Sequence, residues 1–198
     1  LAVQAGLNIL KQGGNAIDAA VAMAAMLAVV EPYSTGIGGD AFALIKIPGE
    51  PHPYAINGSG PAPRGLTYTY LTEEQGLQQM PLRGMLSITI PGAVSLWAEV
   101  LDRFGTLSFK EVLQPAIFYA QEGFHVSPIV AQVWTELAFY LKAYKGWQSI
   151  YTPVPQKGQL FKQPQLATTL EILGMMPTNQ PPRPPTPTRA TFSFSLAA

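Results

Sequence analysis

Two glycine-rich stretches hold the residues best suited to chemistry. Gly36-Ile37-Gly38-Gly39-Asp40 offers backbone amides beside one carboxylate. Asn57-Gly58-Ser59-Gly60-Pro61-Ala62-Pro63 offers a carboxamide and a hydroxyl in a loop too rich in glycine and proline to continue a ladder or a helix. Glycine at such turns permits positive φ and close backbone packing, and the same residues can form a backbone lining for a small polar substrate. Both readings stand at this level. The first stretch follows an apolar helical run and precedes a strand, the reverse of a dinucleotide fingerprint, where the glycines follow a strand and a helix N-terminus faces phosphate. A dinucleotide site is therefore disfavoured.

Other chemistries lack their parts. His52 and His125 stand alone among loop residues, which gives no metal-ligand spacing, so no metal and no cofactor is expected. A Ser-His-Asp set drawn from Ser34 or Ser59, either histidine, and Asp18, Asp40 or Asp102 has nothing to fix its geometry. No Gly-x-Ser-x-Gly elbow lies between a strand and a helix. The chain of 198 residues contains no cysteine, which removes thiol nucleophiles, thiolate metal sites and disulfides. Its formal net charge is zero, and aromatic residues are not interleaved with Lys or Arg, so a nucleic-acid partner is not expected.

The elements that must position these loops are legible from period and punctuation. Hydrophobic content of 47% against 12% charged residues argues for a folded chain with much buried surface. Gly13-Gly14 breaks the chain, Asn15 is a good N-cap, and the alanine-rich run Ala16 to Val30 reads as a helix stopped by Glu31-Pro32. Its small side chains let the backbone lie close to its neighbours, so it is expected to be the buried central helix. The run falls short of the ~20 apolar residues a bilayer requires and carries Asp18, so no membrane association is expected. Leu1 to Gln12, with Leu1, Ala5, Ile9 and Val3, Leu7, Leu10 at helical spacing, reads as an amphipathic helix before it.

Ala41 to Ile47 and Pro53 to Asn57 read as two strands of a hairpin, and Pro81 to Ile90 as a loop and a further strand. Pro91-Gly92 opens a helix ending at Gly105, and Ser108 with Glu111 forms a capping box for a helix from Phe109 to Gln121. Further helices are expected over Pro128 to Lys142 and Gln165 to Leu173. After Gly174 proline and threonine dominate, so the division expected is an ordered segment at 1–174 and a disordered or polyproline-like tail at 175–198. Pro182 to Pro185 has a spacing that SH3-type modules can bind, although a solvated tail is the simpler reading.

Gly13-Gly14-Asn15-Ala16-Ile17-Asp18-Ala19-Ala20-Val21-Ala22, with Val29-Val30-Glu31-Pro32 and Gly36-Ile37-Gly38-Gly39, resembles the gamma-glutamyltransferase (gamma-glutamyltranspeptidase) family. Ile90-Pro91-Gly92-Ala93-Val94, Phe104-Gly105-Thr106-Leu107, Gly123-Phe124-His125-Val126 and Pro164-Gln165-Leu166-Ala167-Thr168-Thr169-Leu170 are similar to later blocks of the same large-subunit region. The resemblance implies an α+β fold, a helix-rich part of the αββα architecture of N-terminal-nucleophile hydrolases. It implies a precursor that cleaves itself into large and small subunits, and acyl transfer from a gamma-glutamyl amide to a threonine that begins the small subunit. The partners implied are that small subunit and a small-molecule gamma-glutamyl substrate.

No Thr-Thr-His-type start occurs here: Thr168-Thr169 precedes Leu170 inside a helix, and Thr191 falls in the tail. No catalytic residue is therefore assigned. In the family a large-subunit arginine in the loop matching Asn57 to Pro63 grips the substrate's α-carboxylate. Here Ser59 and Gly60 occupy that region, and Pro61 stands where the related pattern carries arginine. Asn57 and Ser59 are accordingly the expected substrate-binding residues. Two alternatives remain: an amidase acting on a glutaryl-type group, or a non-catalytic truncated remnant. With no basic stretch and apolar run opening the chain, no signal peptide is visible, and Gly39-Asp40 resembles intracellular-looking members. The expectation leans towards the cytoplasm.

Overall fold

The computed structural model describes residues 1–176. The tail expected over 175–198, with Pro182 to Pro185 and Thr191, lies outside the described residues from position 177 onward. In chain order the elements are α1 (Ala2–Lys11), α2 (Ala16–Val30), β1 (Ala41–Ile45), β2 (Tyr54–Gly58), α3 (Ala93–Phe104), α4 (Phe109–Glu122), β3 (Phe124–His125), α5 (Pro128–Leu141), α6 (Lys145–Tyr151), β4 (Leu160–Phe161) and α7 (Pro164–Gly174). This is a helix-rich α+β fold with two small antiparallel ladders, β1 with β2 and β3 with β4. Among the described residues no helix is long and apolar enough to cross a membrane.

α2 is the central element, and its start is chemically specified. Asn15 has extended backbone geometry, and its Oδ1 accepts from the amides of Ile17 (2.8 Å) and Asp18 (3.1 Å). Asp18 Oδ2 in turn accepts from the Asn15 amide at 2.7 Å, closing a capping box. The helix stops at Glu31 because Pro32 disfavours helical geometry in the residue before it. Ala22, Ala25, Met26 and Val29 are wholly buried. Each larger side chain among them contributes about 1.5–3 kcal/mol by leaving water.

Neighbours reach α2 from several sides. α1, α3 and α4 pack on it, and α7 packs on α4. At the α1 crossing a Cβ on Gly6 would stand 2.8 Å from the Met23 side chain, which would have to shift to admit it. α1 is the short amphipathic helix expected over Leu1 to Gln12: Ala5 and Ile9 are buried towards α2, whereas Val3, Leu7 and Leu10 are exposed.

Among the described residues the two buried polar ones, Asp18 and Gln163, both tie α2 to distant chain. Asp18 is fully buried, and its carboxylate accepts from the Thr106 hydroxyl (2.6 Å), the Thr106 amide (3.0 Å) and the Leu107 amide (3.3 Å). Asn15 Nδ2 donates to the Phe104 carbonyl at 2.6 Å, satisfying one of the open carbonyls at the end of α3. At the other end of α2, Gln163 Nε2 donates to the Val29 carbonyl at 2.7 Å. Carbonyls that helix ends leave open, and amides of the turn between α3 and α4, are thus paired by side chains far away in sequence.

The hairpin follows the expected pattern, in register Ala41↔Gly58 through Ile45↔Tyr54. One face packs on α3: Tyr54 meets Phe104 with ring centroids 5.0 Å apart, and Gly58 lies so close to Leu96 that a Cβ there would stand 2.7 Å away. The other face carries Phe42 and Leu44, 70% and 76% exposed.

The strand expected within Pro81 to Ile90 does not form. Met85–Ser87 is a short 3-10 turn, and the Ile90 amide donates to the Pro61 carbonyl at 3.0 Å rather than to a ladder. Apolar side chains there, Leu82, Met85 and Ile88, are exposed. A π-helical turn at Tyr70–Glu74, the short helix α6 and the two-residue strands β3 and β4 carry too little pattern to be read from sequence. Around α6 the rings of Trp134, Tyr151 and Phe161 pack together, with centroids 5.0 Å (Trp134 to Phe161) and 5.3 Å (Trp134 to Tyr151) apart.

Candidate functional site

Three loops meet at the N-terminus of α3. The carbonyl of Gly39 accepts from the amides of Gly92 (3.1 Å) and Ala93 (3.0 Å), so the glycine turn sits on the open amides that begin this helix. The loop after β2 lies against residues 90–92: a Cβ on Gly92 would stand 2.7 Å from the backbone of both Gly58 and Gly60. Gly60 itself has φ +73° and abuts the Ile90 carbonyl, a conformation and a clearance that L side chains do not tolerate. In these positions glycine serves close packing. Gly36 and Gly38 differ, because a Cβ on either would meet nothing within 4 Å.

Thr89 connects the loops. Its hydroxyl lies 3.0 Å from the Ser59 carbonyl and 3.3 Å from Asp40 Oδ1. The space in front is a cleft of about 620 Å³, lined by residues Pro32 to Gly36, Gly38 to Asp40 and Ser87 to Thr89. Serine and threonine side chains, glycine backbone and a single carboxylate thus face one another. No lysine or arginine lines it among the described residues.

The residues expected to bind substrate occupy different places. Ser59 is half-buried beside the cleft, held through its carbonyl by Thr89. Asn57 is exposed on the outer face of β2, where it helps line a shallower groove of about 390 Å³ with Phe42, Leu44 and Ala55. Its Oδ1 accepts from the Ser59 amide at 2.9 Å, which shapes the turn between them. The loop therefore stands beside the glycine turn, yet neither Asn57 nor Ser59 is among the residues lining the larger cleft.

Of the residues from which a Ser-His-Asp set might be drawn, Asp18 is committed to the buried tie with Thr106 and Leu107. His125 Nδ1 lies 3.0 Å from the Gly158 carbonyl, in the β3–β4 region. Among the described residues no three of His, Asp and Glu converge as a metal site. Thr89 escaped the sequence reading, which took it as part of a strand. The one signal it carries is a hydroxyl just before the Pro91-Gly92 break.

A helix-backed hairpin whose loops wall a polar cleft beside glycine backbone defines an α+β protein, and comparison with known proteins gives the family. The chain belongs to the gamma-glutamyltranspeptidase family, whose model matches residues 2–180. It is similar to the glutathione hydrolase-like YwrD proenzyme of Bacillus subtilis, with 41% identity over 87% of this chain and 33% of that protein. The oxamate amidohydrolase proenzyme of Klebsiella pneumoniae is 38% identical over 87% of this chain and 34% of its own length. Among solved structures, the cephalosporin acylase of Bacillus halodurans aligns with a TM-score of 0.79 and 40% identity, covering 87% of this chain and 34% of that one. The chain spans about a third of the length of these relatives.

Proposed function

We propose that this chain is the N-terminal, large-subunit part of an amide-cleaving acyltransferase or hydrolase of the gamma-glutamyltranspeptidase family, with residues 1–174 as its ordered segment. The nucleophile is a threonine on a separate downstream segment, and no residue of this chain is the attacking group. The observation that carries the reading is the polar, glycine-walled cleft at the start of α3, in a chain whose family match runs through both of its walls. Relatives made as proenzymes, of which this chain matches about a third, support a second subunit as partner.

The reaction proposed is attack of the threonine hydroxyl on the substrate carbonyl, with loss of the amine. Water or a second amine then resolves the ester. This chain contributes the binding wall. Ser59, beside the cleft, reaches the acyl group where the family pattern places a cation, and Asn57 supports it by accepting from the Ser59 amide. The exposed face with Phe42 and Leu44 suits a second layer, as an αββα arrangement requires.

A second reading, an amidase for another acyl group, is favoured by Ser59 and Pro61 in the loop where family members carry arginine. Relatives named as an oxamate amidohydrolase and a cephalosporin acylase accord with it. The test is to express the chain with its downstream segment, follow self-cleavage by gel and mass spectrometry, and assay gamma-glutamyl and glutaryl anilides. Cleavage with turnover is expected. A precursor that stays whole and inert would instead mark a non-catalytic remnant.

A further inference from the structure

We infer that Thr89 is a positioning residue: its hydroxyl tethers the turn that carries Ser59, and through Ser59 it sets how tightly the cleft takes substrate. This deepens the proposed function and rests on it wherever substrate is concerned. Ser59 stands on a pliable piece of chain, because glycine flanks it on both sides. Packing requires both glycines. A Cβ on Gly58 would stand 2.7 Å from the Leu96 side chain and 2.9 Å from the Ala41 carbonyl oxygen, and Gly60 has φ +73° and abuts the Ile90 carbonyl. Rigidity at Ser59 must therefore come from outside the turn.

Residues 89–93 supply it. The Ile90 amide donates to the Pro61 carbonyl at 3.0 Å, and the amides of Gly92 and Ala93 donate to the Gly39 carbonyl at 3.1 and 3.0 Å, so backbone fastens this segment to both walls. Two further bonds reach Ser59 itself: its amide donates to Asn57 Oδ1 at 2.9 Å, and its carbonyl accepts from the Thr89 hydroxyl at 3.0 Å. The first is local and moves with the turn, whereas the second anchors the turn to the segment shared by both walls. Thr89 Oγ1 also lies 3.3 Å from Asp40 Oδ1 on the opposite wall, but a hydroxyl has one proton and the shorter contact favours the Ser59 carbonyl. Releasing that carbonyl lets the Ser59 backbone turn about its glycines, so its side chain meets substrate in fewer of its conformations. Because the nucleophile belongs to another segment, the loss falls on binding and not on the chemical step.

The test uses the processed protein carrying its downstream segment, with gamma-glutamyl or glutaryl anilide, whichever turns over faster. Thr89→Val keeps the shape and removes the hydroxyl; it should raise KM by about two- to tenfold, the size of one lost hydrogen bond, with kcat changed by less than about twofold. Thr89→Ser should restore the wild-type constant. In a Ser59→Ala background Thr89→Val should add nothing, since the side chain it positions is gone. An unchanged KM in Thr89→Val, an equal rise in both backgrounds, or a fall in kcat that outweighs the change in KM overturns the inference and leaves the proposed function standing. If the wild type turns over neither anilide, the proposed function fails, and amide hydrogen exchange decides the inference. The Ser59 and Ile90 amides should then exchange about two- to tenfold faster in Thr89→Val than in wild type or Thr89→Ser, while those of α4 keep their rates. Equal rates in all three proteins refute it.

Discussion

The Thr106 hydroxyl donates to Oδ2 of the buried Asp18 at 2.6 Å across 88 residues of sequence, from an exposed residue at the end of α3. Both partners lie in blocks that carry the family resemblance, the Gly13 to Ala22 run and Phe104 to Leu107. Their joining gives that resemblance a mechanical meaning: the carboxylate completes the cap of α2 and fixes the turn between α3 and α4.

Removing the carboxylate strands several donors together. Asp18→Ala leaves the amides of Asn15, Thr106 and Leu107 without their acceptor and should cost about 3 kcal/mol or more. Thr106→Val removes one bond to a charged group and should cost about 1.5–3 kcal/mol. Urea unfolding of both single variants and the double variant checks this. Because the two share one network, the double variant should lose less than the sum of the singles; strict additivity would show that they do not interact.

The alanines of α2 differ in what they face. Ala25 is wholly buried, whereas Ala24 is half-buried. Ala25→Leu should overpack the crossing and cost about 1–3 kcal/mol, with a smaller loss for Ala24→Leu. Melting temperatures measured side by side test the order, and equal losses would show that the local packing is misjudged.

The glycines at the cleft should divide the same way. Gly92→Ala drives a Cβ into the Gly58 and Gly60 backbone, whereas Gly38→Ala enters open space. The first should lower stability by about 1–3 kcal/mol, and the second should stay within about 0.5 kcal/mol of wild type. A silent Gly92→Ala in chemical denaturation would mean that the loops can separate freely.

Burial pushes the Tyr151 phenol up to about 12 from its ordinary value of 10.0. The folded state thus resists ionisation, and the unfolded chain releases the proton first. Stability from this group is intact below pH 10 and is lost as pH rises from about 10 to 12. Tyr151→Phe should flatten the alkaline fall in melting temperature. An identical fall in the variant would assign it to other groups.

Restoring a cation tests the loop after β2. In the processed enzyme Ser59→Arg or Pro61→Arg should lower the Michaelis constant for gamma-glutamyl anilide, by up to about tenfold if the new pair contributes about 1.4 kcal/mol. If neither substitution changes that constant and Asn57→Ala is also silent, this loop does not bind the carboxylate.

Much of the scaffold could be read in advance because its determinants are local. Asn15 and Asp18 mark the start of α2, Ser108 and Glu111 that of α4, and the apolar run from Ala41 before the Pro48-Gly49 turn marks the hairpin. The errors arise where a distant partner decides. Residues 81–90 look like a strand by composition, but the Ile90 amide bonds to Pro61 and leaves no ladder. Asp18 looked like a charge that ruled out a membrane span, and only folding shows its acceptors filled by Thr106 and Leu107. Asn57 and Ser59, two residues apart in the chain, differ in place because β2 ends at Gly58: Asn57 stays on the exposed strand face, whereas Ser59 lies in the turn beyond it. Thr89 had no local pattern to announce its role between two loops.

The Asp18 tie also sets a timetable. At about 5–20 residues per second, a ribosome needs roughly 4–18 s to add the stretch from Asp18 to Thr106. During that interval the Asp18 carboxylate lacks its Thr106 and Leu107 donors, and the helix has no α4 to lie against. The β1–β2 hairpin is synthesised within the interval and can pair before the helix is sealed. The nascent chain therefore carries an open, apolar segment for several seconds, and codon-level pauses before residue 106 would lengthen the time for which a chaperone must guard it.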